Sequence, residues 1–136
     1  MDALEILKRE GCTCVLCGGG SMYKSHTRGV SPLLHLLDEG TDVKGFAAAD
    51  KVVGRATAFL YCLLTVKSVH ACIISEPALK VLTAHGIAVS WDEKVPAIRN
   101  RSGDGPCFLE AVTAQLSDPR DALQAIRKTL QQLQDQ

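Results

Sequence analysis

Three charged side chains lie close together where a long apolar helix is predicted to begin. Residues 47–64 have apolar side chains at helical spacing nearly all round, and their charges are confined to Asp50, Lys51 and Arg55. Asp50 is interpreted either as a general acid or base or as a helix cap. Lys51 and Arg55 lie one turn apart and are candidates for holding an anionic group, with a solvated end of the helix as the alternative.

A second group of polar residues stands at a predicted strand-to-helix turn. Ser75 is a suitable N-cap, Glu76 is a favourable first-turn acid, and Pro77 fits the first helical turn. Capping therefore explains both polar residues, and ligand binding is the alternative. If this helix and the one before it are neighbours, their N-termini converge at the sheet edge where ligands bind.

The third group lies in a polar, glycine-rich loop and in the helix after it. Arg99, Asn100 and Arg101 offer donors for a carboxylate or phosphate, with an ordinary surface loop as the alternative. Cys107 opens the predicted helix, where a lowered thiol pKa would make it a nucleophile; a half-buried cysteine is the alternative. Glu110 is interpreted as an acid or base, or as part of a capping arrangement.

Length and charge narrow the class of protein. The 136 residues suffice for one domain with a hydrophobic core, and 15 basic residues balance 15 acidic ones. Neutral, interspersed charge and few aromatic residues exclude nucleic acid and anionic membranes as expected partners. The N-terminus is acidic and no apolar run approaches the roughly 20 residues of a membrane span, so we expect a cytoplasmic protein.

Six cysteines are present, and Cys14 and Cys17 have C-x-x-C spacing. This spacing occurs in zinc and redox sites, but here it lies in an apolar run that predicts a strand. On a strand, residues three apart face opposite sides, and the sequence offers no second pair of matching ligands. We therefore predict buried, reduced cysteines and no metal or other cofactor.

Periodicity and turn signals predict the elements that would position these groups. The predicted helices cover 2–10, 31–37, 47–64, 77–85, 107–116 and 120–134. The predicted strands cover 12–17, 21–27, 68–74 and 87–91, with a short extended segment at 41–47. This order predicts one α/β domain with three layers, α/β/α, around a mixed sheet of about five strands.

The layout resembles the cytidine-deaminase-like fold, in which two strand–helix units follow a hairpin. Zinc deaminases carry H-A-E on the first of these helices and P-C-x-x-C on the second. The corresponding residues here are Ala48-Ala49-Asp50 and Pro77-Ala78-Leu79-Lys80-Val81. The resemblance therefore implies the fold without the three zinc ligands, and it argues against a zinc-dependent deaminase.

Three segments, 49–56, 74–78 and 100–110, resemble an uncharacterised bacterial and archaeal family that keeps this fold and lacks the zinc site. The resemblance extends from about Leu4 to Leu130 and implies no activity. From the residues we predict a zinc-free domain that binds a nucleotide or other small anionic metabolite. One alternative is a transferase or hydrolase that uses Cys107 with Asp50 or Glu110, and the other is a homo-oligomeric interaction module.

Overall fold

The computed structural model describes residues 2–27, 29–98 and 108–134. The helices are α1 (Ala3–Glu10), α2 (Ser31–Asp38), α3 (Arg55–Leu64), α4 (Glu76–Ala84), α5 (Phe108–Thr113) and α6 (Pro119–Gln134). The strands are β1 (Cys14–Gly18), β2 (Ser21–Ser25), β3 (Ala47–Val53), β4 (Ser68–Ser75) and β5 (Ala88–Val95). Within these described ranges, no helix combines the length and the apolar character needed to cross a membrane.

The strands form one mixed sheet in the order β2-β1-β3-β4-β5. β1 pairs antiparallel with β2 and with β3, whereas β3, β4 and β5 are parallel. Parallel neighbours need crossover connections, and α3 and α4 provide them, so both helices begin at the same edge of the sheet. The register places Asp50 of β3 between Cys14 of β1 and Ala71 of β4.

Helices cover both faces of the sheet, but unequally. α1 packs on β1 and β3 through a small cluster that includes Ile6, Leu7 and Val15. The main core lies on the other face, where α3 is the central helix and buries Phe59 and Tyr61 completely. The predicted α/β fold, with a mixed sheet of five strands flanked by helices, is confirmed.

Local capping residues set both ends of α1. The Asp2 carboxylate accepts a hydrogen bond of 2.8 Å from the Glu5 backbone N–H, and Gly11 ends α1 with φ of 66°. At α2 the predicted start at residue 31 agrees with the structure, in which Val30 is the N-cap and makes no side-chain capping hydrogen bond.

The predicted helix over 47–64 is wrong in its first half. Ala47–Val53 is a strand, Gly54 is the N-cap, and α3 begins only at Arg55. Ala48 packs in the main core and Ala49 in the α1 cluster, so the first half of this strand is buried on both faces. A strand of this kind lacks the alternation of apolar and polar side chains, so its sequence resembles that of a buried helix.

Candidate functional site

The residues predicted to form a site are spread over separate environments. Asp50 is buried beneath α3, whereas Lys51, on the same strand, is exposed. Glu76 is in the first turn of α4, where its Oε1 lies 3.7 Å from Lys94 Nζ. Arg99, Asn100, Arg101 and Cys107 lie outside the described residues.

Glu110 joins the N-termini of α3 and α4. Its Oε2 accepts a hydrogen bond of 2.6 Å from the Arg55 backbone N–H, and its Oε1 accepts one of 3.4 Å from Ser75 Oγ. Ser75 Oγ also accepts a hydrogen bond from the Ala78 backbone N–H at 3.2 Å, so it caps α4. Burial raises the pKa of Glu110, although the surrounding donors oppose that rise. The geometry thus gives Ser75 and Glu110 capping roles, and the helix N-termini converge on a carboxylate of the chain itself.

The Arg55 side chain makes structural contacts and does not line the cavity between the β1–β2 hairpin and α2 that is described below. Its Nε donates a hydrogen bond of 2.8 Å to the Thr113 carbonyl, and its Nη2 donates to the Leu116 carbonyl. The guanidinium carbon lies 5.1 Å from the centroid of the Phe59 ring. These contacts fasten α3 to the C-terminal end of α5, and anion binding by Arg55 stays a prediction.

Asp50 lies at the centre of a buried hydrogen-bonded network. Tyr61 Oη donates to Asp50 Oδ2 at 2.6 Å, and the Val52 backbone N–H donates to Oδ1 at 3.4 Å. Cys14 Sγ lies 3.3 Å from Tyr61 Oη, at a distance that allows a hydrogen bond in either direction. The side chains of Cys14, Asp50 and Tyr61 are 4%, 8% and 0% exposed, so water contributes little to satisfying them.

Burial controls the ionisation of this network. Desolvation raises the pKa of Asp50 from 3.8 to about 7, although the Tyr61 hydroxyl and neighbouring backbone N–H groups oppose the rise. Desolvation and the nearby Asp50 also raise the pKa of the Cys14 thiol and of the Tyr61 phenol far above neutrality. Asp50 is therefore the member of the network that changes charge near neutral pH.

A surface cavity of about 450 Å³ reaches Cys14 from outside, between the β1–β2 hairpin and α2. Its apolar wall consists of Leu16, Met22, Pro32 and Leu36. Its polar lining includes Tyr23, Lys24, Ser25, Thr27, Ser31 and His35. No motif in the sequence indicates this cavity, and Cys14 is predicted there as a buried, reduced cysteine. The available signal was the pair Asp50 and Tyr61, two polar groups in an otherwise apolar stretch that need each other as partners.

The cysteines do not form a metal or redox site within the described residues. Cys14 packs in the main core and Cys17 against the α1 cluster, on opposite faces of the sheet as predicted. Cys12, Cys14, Cys17, Cys62 and Cys72 are all free. In residues 2–27, 29–98 and 108–134, no group of three or more His, Cys, Asp or Glu side chains is placed to hold a metal ion.

Comparison with known proteins establishes the family. The sequence matches the family model described as TM1506, Domain of unknown function (DUF1893), over residues 2–130. The chain belongs to the DUF1893 family. The crystal structure of a DUF1893 family protein (TM1506) from Thermotoga maritima is 28% identical, with a TM-score of 0.86 over 93% of this chain and 86% of that chain. No curated protein matches the sequence.

A more distant structure is a diaminohydroxyphosphoribosylaminopyrimidine deaminase/5-amino-6-(5-phosphoribosylamino)uracil reductase from Thermotoga maritima. It is 14% identical, with a TM-score of 0.45 over 66% of this DUF1893 chain and 34% of that chain, which is too low a similarity to support an argument. The proposed correspondence of Ala48-Ala49-Asp50 with the helical H-A-E signature is wrong in position. These residues lie inside β3, whereas Pro77 does lie in the first turn of α4.

Proposed function

We propose that this DUF1893 protein binds a small anionic metabolite, such as a nucleotide, in the cavity between the β1–β2 hairpin and α2. The observation that carries the proposal is the cavity itself. Its volume of about 450 Å³ falls within the roughly 300–1,000 Å³ of small-molecule sites, and it combines an apolar wall with a few polar groups.

Two basic side chains favour an anion in this cavity. Lys24 Nζ lies 2.7 Å from Glu10 Oε1, and His35 Nε2 lies 3.0 Å from Glu39 Oε1. Exposed pairs of this kind contribute only about 0–1 kcal/mol, so either side chain can turn towards a ligand at small cost. Lys24 and His35 are the ionisable lining residues besides Cys14 and Tyr23, and no carboxylate is part of the described lining.

Hydroxyl groups in the lining can orient a ligand that carries several oxygen atoms. Ser25, Thr27 and Ser31 border the cavity, and their hydroxyl groups can donate hydrogen bonds to an anion. The proposal thus keeps the ligand class predicted from the sequence but places it at different residues. Lys51 and Arg55, which the sequence favours, are not among the residues that line the cavity.

The experiment is a thermal-shift screen with nucleoside phosphates, sugar phosphates and dicarboxylates, followed by calorimetric titration of the anions that raise Tm. In the double variant Lys24→Ala/His35→Ala we expect the affinity to fall at least about tenfold, equivalent to about 1.4 kcal/mol. Lys51→Ala is the matched control, because it removes an exposed lysine of the same sheet outside the cavity. A screen in which no anion raises Tm would contradict the proposal, as would binding that is lost in the control and kept in the double variant.

A further inference from the structure

We propose that Cys14 forms the floor of this ligand site and that anion binding is coupled to the uptake of one proton by Asp50. The inference rests on the proposed function, since it needs an anion in the cavity. It adds the group that would recognise that anion, the Cys14 thiol, and the condition that regulates binding, the protonation state of Asp50.

The geometry forms one continuous path from the cavity to the buried carboxyl. Cys14 lines the cavity, its Sγ lies 3.3 Å from Tyr61 Oη, and Tyr61 Oη lies 2.6 Å from Asp50 Oδ2. Tyr61 and Asp50 do not line the cavity themselves. Any effect of the Asp50 charge on hydrogen bonding to a ligand therefore passes through the Cys14 thiol.

The hydrogen atoms of this path have two consistent arrangements. When Asp50 is ionised, it accepts a hydrogen bond from the Tyr61 hydroxyl, and Tyr61 Oη accepts one from the Cys14 S–H. The sulfur then presents only lone pairs to the cavity. When Asp50 is protonated, its O–H donates to Tyr61 Oη, and Tyr61 donates to Cys14 Sγ. The thiol hydrogen is then free to point into the cavity. The two states differ by one proton taken from solvent, and no covalent bond between heavy atoms changes.

An anion discriminates between these two arrangements. The oxygens of an anion accept hydrogen bonds but do not donate them. The anion therefore favours the state in which the Cys14 S–H points into the cavity. The ionised state also places a buried negative charge behind the thiol, and such a charge is poorly screened in the protein interior. Protonation of Asp50 therefore strengthens anion binding, and by linkage a bound anion raises the pKa of Asp50.

The surroundings of Asp50 leave its charge free to change. Tyr61 faces it from α3, Cys14 from β1, and Cys72 of β4 interacts with it electrostatically. Lys51 contributes a backbone N–H, while its side chain is exposed. None of these groups is a buried cation that would hold the carboxylate ionised. Burial places the pKa of Asp50 at about 7, so it exchanges its proton in the neutral range.

A purely structural role does not require this carboxyl. An asparagine at position 50 would still accept the Tyr61 hydrogen bond without the cost of burying a charge. An ionisable group buried at a desolvation cost, directly behind a cavity, is a recognised indication of function.

Infrared spectroscopy of the ligand-free protein tests the path itself. As the pH rises through about 7, we expect the band of one protonated carboxyl to disappear and the Cys14 S–H band to shift with the same midpoint. Asp50→Asn is expected to remove both changes. Tyr61→Phe is expected to reduce the shift of the S–H band without abolishing it, because Cys14 also interacts directly with Asp50. Cys14→Ala identifies that band, and Asp92→Asn, an exposed carboxylate on β5, is the matched control. An S–H band that stays constant while Asp50 titrates would overturn the inference.

Calorimetric titration with sulfate, which does not titrate near neutrality, tests the coupling to anions. Above the pKa of Asp50 we expect the affinity to fall about tenfold per pH unit, the value for one coupled proton, and Asp50→Asn to abolish this dependence. Sulfate binding that is equally tight across the neutral range would overturn this inference and leave the proposed function standing. If neither sulfate nor any anion of the screen binds, both are overturned.

Discussion

A Cβ atom added to Gly54 would clash with the carboxylate of Glu110, lying only 2.9 Å from its Cδ and 3.2 Å from Cγ1 of Ile98. Gly54 has an extended backbone, with φ of −97° and ψ of −178°, which any residue adopts. The lack of space for a side chain, and not the backbone conformation, therefore explains why residue 54 is a glycine. Its missing side chain lets the Glu110 carboxylate reach the Arg55 backbone N–H and cap α3 from a distant part of the chain.

The first prediction is that Gly54 and Glu110 are energetically coupled. We expect Gly54→Ala to destabilise the protein by about 1–3 kcal/mol through overpacking, and Glu110→Ala by about 0.5–2 kcal/mol through loss of the cap. The double variant should lose less than the sum, because truncation of Glu110 makes room for the new methyl group. Urea denaturation measures all three values. Strict additivity would show that the carboxylate does not occupy the space beside Gly54.

The second prediction is that Arg55 stabilises the fold and does not bind the anion. Arg55→Ala loses hydrogen bonds to the carbonyls of Thr113 and Leu116, so we expect a loss of about 2 kcal/mol in the free energy of unfolding. Hydrogen exchange should accelerate in α5, with anion affinity in the cavity unchanged.

Arg127→Ala is the control for this arginine, since it breaks an exposed pair with Asp38 and should cost less than about 1 kcal/mol. Arg55→Lys should resemble Arg55→Ala, because an ammonium group lacks the planar fork that reaches both carbonyls. A weakened anion affinity in Arg55→Ala at full stability would restore the role predicted from the sequence.

The third prediction concerns the pH dependence of stability. The pKa of Asp50 is about 7 in the folded protein and 3.8 in the reference state, so the folded protein holds this proton more tightly. Its contribution to stability is therefore greatest at low pH and is lost as the pH rises from about 4 to about 7. At about 1.4 kcal/mol per pKa unit, the loss is on the order of 4 kcal/mol.

Asp50→Asn should lack this loss and should be more stable than the parent protein above neutral pH. Denaturation at a series of pH values measures the difference between the two proteins. Asp92→Asn is an informative control, because the pKa of Asp92 is lowered. Desolvation acts to raise this pKa, but hydrogen bonding to His70 and the charge of Lys8 outweigh desolvation. Asp92 therefore gives a dependence of opposite sign, with stability lost as the pH falls. Parallel pH profiles of the parent protein and Asp50→Asn would refute the prediction.

The fourth prediction assigns Ser75 a structural role at the start of α4. Its fully buried side chain accepts from the Ala78 backbone N–H and donates to Glu110, so Ser75→Ala should cost about 1–2 kcal/mol. Ser68→Ala, at the opposite end of β4, should stay within about 0.5 kcal/mol of the parent protein. Chemical denaturation of the two variants compares them directly, and equal losses would speak against the cap.

Local sequence signals predict much of the fold. The caps of α1, the β1–β2 hairpin, the Ser75 cap and the amphipathic period of α6 are all determined within a few residues of one another. Together they suffice to assign an α/β fold with a mixed sheet, because each element needs only its own period and its own end signals.

The same signals fail at β3 and at the candidate site. β3 is apolar on both faces, and the choice between strand and helix depends on α1 and α3, which cover those faces. Cys14 and Asp50 meet through the antiparallel register of β1 and β3, and Tyr61 reaches them from the next helix.

The sequence by itself thus determined most of the elements, with β3 as the exception, and the ionisable groups available to the DUF1893 chain. Only the tertiary structure decided that Glu110 caps α3, that Arg55 binds backbone carbonyls, and that Asp50 lies behind a cavity. The physical reason is that burial and hydrogen-bond partners set the chemistry of a polar side chain, and these partners come from residues far away in sequence.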